Sequence, residues 1–266
     1  MWNKARSRIP AAQAEMKVFT PAVRPLYTVS SREKPDAEGS CVLFKVGGRH
    51  FLLTAAHVLD QLMEGELYIG GDESLLTIPR NWHGTQMPDS GNREDDKIDL
   101  AFMELPAELV AEMGDCLWLG PRDVVQPGSA AAHRFYCTFG YPVRRAKVRS
   151  QVLSVAAPAD LYAGVAVDQE VYERLGLSPE THIVISYDRE RVISSHGVRV
   201  PTVKPYGKSG GGLWRFDSLV VPGLPPLENP LAGILTEWRR EEKVLVATRI
   251  ELFVALLKRE FPGAFH

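Results

Sequence analysis

What this chain has little of sets the first limits. It carries only three cysteines, Cys41, Cys116 and Cys137, an odd number without C-x-x-C spacing. Its seven histidines are scattered without the spacing of metal ligands, so no metal is expected. An excess of charge is missing too. The net charge of -2 gives no electrostatic case for a nucleic-acid partner or an anionic membrane surface. No apolar run approaches the roughly 18 residues needed to span a bilayer. The basic stretch from Met1 to Pro10 leads into no apolar h-region, so no secretory signal is visible. Repeats of short fixed period are also absent.

What remains is the composition of an ordinary soluble globular protein, 45% apolar and 24% charged over 266 residues. That length is large for one core but normal for an all-β protein of two barrels. Residues 1–23, polar and alanine-rich with Pro10 and Pro21, read as an N-terminal arm. Short apolar runs then alternate with turn signals. Cys41 to Val46 and His50 to Leu53, split by Gly47-Gly48, predict a β-hairpin. Further strands are expected at Glu66 to Ile69, Leu100 to Leu105, Arg134 to Pro142, Val148 to Val155, His182 to Tyr187, Leu213 to Phe216, Leu231 to Leu235 and Val244 to Ile250. Asn81 to Lys97 is hydrophilic and reads as a long surface loop, within which Glu94, Asp95 and Asp96 read as a solvated acidic run. Ile250 to Lys258 has apolar residues at helical spacing. Many short strands in two blocks, closed by a helix, predict two packed six-stranded antiparallel β-barrels.

Three motifs carry chemistry. Thr54-Ala55-Ala56-His57-Val58 comes first, then Asp99-Leu100-Ala101-Phe102, then Gly207-Lys208-Ser209-Gly210-Gly211-Gly212. A serine hydroxyl is a poor nucleophile at neutral pH and needs an adjacent base, for which histidine is suited. A buried carboxylate must then hold the imidazole in the right tautomer and stabilise the imidazolium. The assignments are Ser209 as nucleophile, His57 as general base and acid, and Asp99 as orienting carboxylate. Asp99 is preferred over its acidic neighbours because it abuts the strand beginning at Leu100. The glycines allow the amides of Gly207 and Ser209 to converge on one point, as an oxyanion hole requires.

Taken singly, each motif has a plainer reading: a flexible turn, a core histidine, a charge at a strand edge. Their order decides. A P-loop needs a glycine five residues before Gly207, where Thr202 stands, and must run into a helix that Gly210-Gly211-Gly212 opposes. The α/β-hydrolase elbow needs an acid and a histidine after the serine, and only His266 follows.

The order His, Asp, Ser and the three strings resemble the trypsin-like, chymotrypsin-fold serine peptidases, most closely the bacterial and HtrA-like group. The resemblance runs from about residue 24 to 260. Phe139-Gly140-Tyr141-Pro142 resembles the turn that opens the second barrel, and Ala232 to Thr236 the substrate-binding strand. It implies a first barrel over 24–120 with His57 and Asp99, a linker over 121–130, and a second barrel over 131–266 with Ser209 and the C-terminal helix. It implies a protein or peptide substrate cut through an acyl-enzyme, with no cofactor. It places Val203, Tyr206, Thr236, Glu237, Trp238 and Leu245 at the substrate site, with no acidic residue at the pocket base and hence a preference for small or apolar residues. No PDZ-like domain is expected after Ile250.

Two departures matter. Secreted relatives close the histidine loop with a disulfide, but Val58 stands where the partner of Cys41 would be, which points to a cytoplasmic protein. Relatives activated by cleavage place an aspartate before the serine to pair with a new N-terminus, and Lys208 cannot make that bond. The oxyanion hole must therefore form in some other way. The competing class is a peptidase fold kept as a binding or regulatory module, with little or no proteolytic activity.

Overall fold

The computed structural model describes residues 16–29, 35–63, 65–71, 74–126, 135–142, 147–148, 155–156, 160–188, 204–215 and 230–265. Fifteen strands run through them. A first sheet holds β1 (Val23–Val29), β2 (Pro35–Val46), β3 (Arg49–Ala55), β4 (Tyr68–Gly70), β5 (Leu75–Thr77), β6 (Trp82–Gly84) and β7 (Leu100–Leu105). Its order is β5-β4-β1-β2-β3-β7-β6, antiparallel throughout.

After β8 (Phe135–Gly140), β9 (Lys147–Val148) and β10 (Val155–Ala156) pair with each other among the described residues. Val148 and Val155, expected on one strand, are antiparallel partners on two, and 149–154 between them lie outside the described residues. With β8, a second sheet takes in β11 (Asp160–Val165), β12 (His182–Ser186), β13 (Gly212–Arg215), β14 (Leu231–Arg239) and β15 (Val244–Arg249). Its order is β11-β8-β13-β14-β15-β12. A bridge between Ala166 and Ile185, with Val167 N–H donated to Val184 at 3.0 Å, joins its two edge strands. The sheet thus curls back on itself.

Four α-helices lie among the described residues: α1 (Ala56–Leu59), α2 (Ala107–Glu112), α3 (Gln169–Leu175) and α4 (Ile250–Glu260). The six strands expected of each barrel are found in the second sheet. The first has seven; neither β5 nor β6 stands out in the sequence, and β6 lies inside the stretch read as a loop. The end of the arm, Lys17–Ala22, forms a 3₁₀ helix.

The strands of the first sheet read as unbroken apolar runs because both faces are buried. Side chains alternate across a strand. Val42, Phe44, Phe51, Leu53, Leu100 and Phe102 therefore join one core cluster, while Cys41, Leu43, Leu52, Ala101 and Met103 join another. The first of these clusters also takes in Phe139, Trp214, Leu231 and Ile234 of the second sheet and Phe253 and Leu257 of α4. A single apolar layer thus fixes the two sheets against each other, which is the condition for a site assembled across them.

All three cysteines are free. Burial pushes the Cys41 thiol far above its ordinary range and the Cys137 thiol up to about 12. Cys116 is only partly buried and accepts a hydrogen bond from Arg24 Nη2 at 3.1 Å. Iodoacetamide at about pH 8 is expected to alkylate Cys116 in the native protein and all three thiols after denaturation. Rapid native labelling of Cys41, read by peptide mass, would contradict this packing.

Candidate active site

Strand β3 ends at Ala55, and the chain turns at once into α1, which carries His57. The acid comes from the start of β7, whose Leu100 pairs with Ala55. That register brings Asp99 to the histidine turn. Asp99 Oδ2 lies 2.6 Å from His57 Nδ1, and Oδ1 accepts the His57 main-chain N–H at 2.9 Å. The Asp99 carbonyl accepts Ala56 N–H at 3.1 Å. Asp99 has φ +47°, a left-handed conformation that aspartate tolerates better than most residues. The carboxylate is 11% exposed and the imidazole 36%, so the acid is sheltered and the base open to a ligand.

The turn at Asp99 is held from both sheets. Asp96 Oδ1 accepts the N–H of Ile98 at 3.1 Å and of Asp99 at 3.0 Å. Asp96 Oδ2 accepts from Arg93 Nη1 at 3.0 Å and from the Thr85 hydroxyl. Arg93 also forks onto Asp60, at the end of the His57 turn, with contacts of 2.8 and 2.9 Å. From the second sheet, Thr248 Oγ1 donates to the Ile98 carbonyl at 2.5 Å, and His182 Nε2 meets the Lys97 carbonyl at 2.7 Å. Asp96 is therefore no solvated charge. Its side chain is 8% exposed and that of Arg93 11%. The sequence reading missed both, along with Thr85, His182 and Thr248.

Ser209 lies in the turn that enters β13. Gly207 (φ +86°) and Gly210 (φ +81°) both adopt a conformation that L side chains rarely take. A Cβ on Gly210 would lie 1.9 Å from the Ser40 carbonyl oxygen and 2.1 Å from Thr54 Oγ1. Ser40, wholly buried in β2, latches this turn to the other sheet. Its N–H donates to the Ser209 carbonyl at 2.7 Å and its hydroxyl to the Gly207 carbonyl at 2.8 Å. Its hydroxyl oxygen also accepts Tyr141 N–H at 2.9 Å. Nothing in the sequence singles Ser40 out.

The amides of the turn divide into two groups. Those of Lys208, Gly210 and Gly211 donate to Pro205, Leu235 and Lys208 at 2.9, 2.7 and 2.8 Å. Those of Gly207 and Ser209 donate to no backbone carbonyl among the described residues. Two amides free of backbone acceptors, one the serine's own and one two residues before it, suit a developing oxyanion. At rest the Ser209 hydroxyl donates to the Thr236 carbonyl at 3.3 Å, its one hydrogen bond among the described residues.

The expected substrate residues divide as follows. Thr236 contacts Ser209 directly. Trp238 pairs in register with Leu245, and Tyr206 sets its ring edge-on to Trp238 at 5.4 Å. Tyr206 is 55% exposed. Glu237 faces solvent and pairs with Arg239 at 2.9 Å. Val203 lies outside the described residues. Strand β13 accompanies β14 only as far as Ile234, so Thr236 to Arg239 have no strand partner on the Ser209 side among the described residues. Among the described residues no group of three or more His, Cys, Asp and Glu could hold a metal ion, and no helix is long and apolar enough to cross a membrane.

Among solved structures, that of GrC, which has the chymotrypsin fold, matches 91% of this chain and 94% of its own, with a TM-score of 0.54 at 14% identity. Together with the two curled antiparallel sheets and the C-terminal helix, it makes this a chymotrypsin-like fold. At that identity the likeness speaks for the fold alone. No family model matches the chain, and no curated protein matches it in sequence.

Proposed function

We propose that the protein is a serine endopeptidase that uses Ser209, His57 and Asp99. The observation that carries this reading is Asp99. One carboxylate oxygen holds the ring of His57 and the other its main chain, while the opposite ring nitrogen is left without a hydrogen-bond partner among the described residues. In the reaction, the Ser209 hydroxyl leaves the Thr236 carbonyl, gives its proton to His57 Nε2 and attacks the peptide carbonyl. The oxyanion is held by the Gly207 and Ser209 amides. His57 returns the proton to the leaving amine, and a water molecule, activated by the same imidazole, hydrolyses the acyl-enzyme.

On this reading residues 24–120 form the barrel of the base and 131–266 that of the nucleophile, joined by 121–130. The peptide adds as a strand to the unpaired edge at Thr236 to Arg239. Trp238 and Leu245, paired across the strands next to Tyr206, are apolar neighbours suited to a small or apolar residue before the cut bond. The absence of an N-terminal switch at Lys208 supports kinship with bacterial trypsin-like peptidases. Three free thiols suit the reducing cytoplasm.

A fluorogenic peptide library tests the assignment. Cleavage after alanine or another small apolar residue, with a burst of the first product, is the expected result. Preferred cleavage after arginine would contradict the pocket. The resting bond from Ser209 to Thr236, rather than to His57, favours one other reading: a binding or regulatory module with an idle triad. Tight peptide binding with no burst would establish that alternative.

A further inference from the structure

Lys208 stands beside the nucleophile yet points away from it. Its side chain is 2% exposed, although an ammonium group taken out of water needs strong partners. Nζ donates to Asp160 Oδ2 at 3.0 Å and to Thr138 Oγ1 at 3.1 Å. The route to those partners is built into the sheet. Asp160 on β11 sits in register with Gly140 on β8, and Thr138 lies two residues before Gly140 on the same strand. A Cβ on Gly140 would lie 3.0 Å from both Cα and Cβ of Lys208 and 3.2 Å from its Cγ. The bare glycine is the gap over which the lysine stem crosses.

That anchor bears on the oxyanion site through peptide geometry. The Lys208 carbonyl and the Ser209 N–H belong to one planar trans unit and point in opposite directions. Gly211 N–H takes the carbonyl at 2.8 Å. The Ser209 N–H is thereby turned to the other side, where no described carbonyl meets it. Lys208 Cα is the hinge of that plane, and its side chain fixes the hinge. The Gly207 carbonyl on one side and the Ser209 carbonyl on the other are both held by Ser40.

We propose that the buried Lys208–Asp160 ion pair is the positioning device that holds the Ser209 amide toward the oxyanion site. It does so from within the chain, with no newly cut N-terminus. This rests on the peptidase reading of Ser209. Lys208 and Asp160 act through the turn and touch no reacting atom. A positioning role predicts loss in turnover with little change in substrate affinity, because the oxyanion exists only in the transition state.

The test is steady-state kinetics on a peptide ester, with fluorophosphonate labelling of the same samples. Lys208→Met and Asp160→Asn are each expected to lower kcat by about 100-fold, the cost of losing one oxyanion donor, with KM moving less than roughly threefold. The double variant is expected to lose no more than the worse single, as two halves of one device must. The low-field proton of His57 Nδ1 should persist by NMR, since Asp99 is untouched. If Lys208→Met does not fold, Thr138→Val removes only the neutral partner. It is expected to fold, with a melting temperature lower by roughly 2–8 °C, and to lower kcat by about threefold to tenfold. Folded variants with wild-type kcat, or losses that simply add, would overturn the proposal while the wild type is still labelled. A wild type that takes no label would sink the peptidase reading itself.

Discussion

Asp99→Asn is expected to lower turnover by about 10⁴-fold while leaving the fold intact. The reason lies in the division of labour between the two carboxylate oxygens. Oδ1 accepts the His57 main-chain N–H and Oδ2 faces Nδ1 of the ring. Asparagine has only one acceptor oxygen. If that oxygen keeps the main-chain bond, the amide NH₂ faces Nδ1, which must then be the unprotonated nitrogen. The ring proton moves to Nε2, and the imidazole can no longer take the proton of Ser209. The backbone tolerates the change, because asparagine adopts left-handed conformations as aspartate does at φ +47°. The check is kcat beside a thermal melt. A variant within tenfold of wild type would remove Asp99 from the orienting role.

Arg93→Met is expected to act on stability first. Arg93 joins Asp60, at the end of the histidine turn, to Asp96, which carries the Asp99 amide. The fork is well sheltered, with side-chain exposures of 11% for Arg93, 21% for Asp60 and 8% for Asp96. Removing the cation leaves two carboxylates without their shared partner. Loss of one member of a buried pair costs about 3 kcal/mol or more, roughly 6–12 °C in melting temperature for a chain of this size. Turnover should fall as well, by up to about 100-fold, as the Asp99 turn loosens. Arg93→Lys should recover only part of the loss, since a point charge cannot bridge both carboxylates with a planar fork. An unchanged melting temperature would show that the network contributes nothing.

What could be read from residue order alone follows a physical divide. Chemistry that is local in sequence was visible: Gly47-Gly48 between apolar runs, glycines around Ser209, and the acid at the start of Leu100 to Leu105. The helix at Ile250–Glu260 was visible for the same reason, its apolar spacing being local. Chemistry that depends on distant pairing was not. Strand β6 exists because Trp82 and His83 pair with Met103 and Phe102 on β7, and a hydrophilic stretch offers no periodicity to announce that. Asp96 sits in an acidic run that looks solvated, and only Arg93 and the turn at Asp99 make it a buried anchor. Lys208 could be read as unable to pair with a new N-terminus. Its true partner lies 48 residues upstream, unmarked by any motif. Likewise Ser40 gains its meaning from carbonyls that are 167 and 169 positions away, at Gly207 and Ser209.

Peptidase activity requires Ser209 to be an activated nucleophile. Incubation of the full chain with a fluorophosphonate, followed by mass mapping of the adduct, reads that reactivity at the residue itself. A single adduct on Ser209 is expected, lost in Ser209→Ala and strongly slowed in His57→Ala. No adduct at any pH from about 6 to 9, the range in which histidine can act as base, would contradict it.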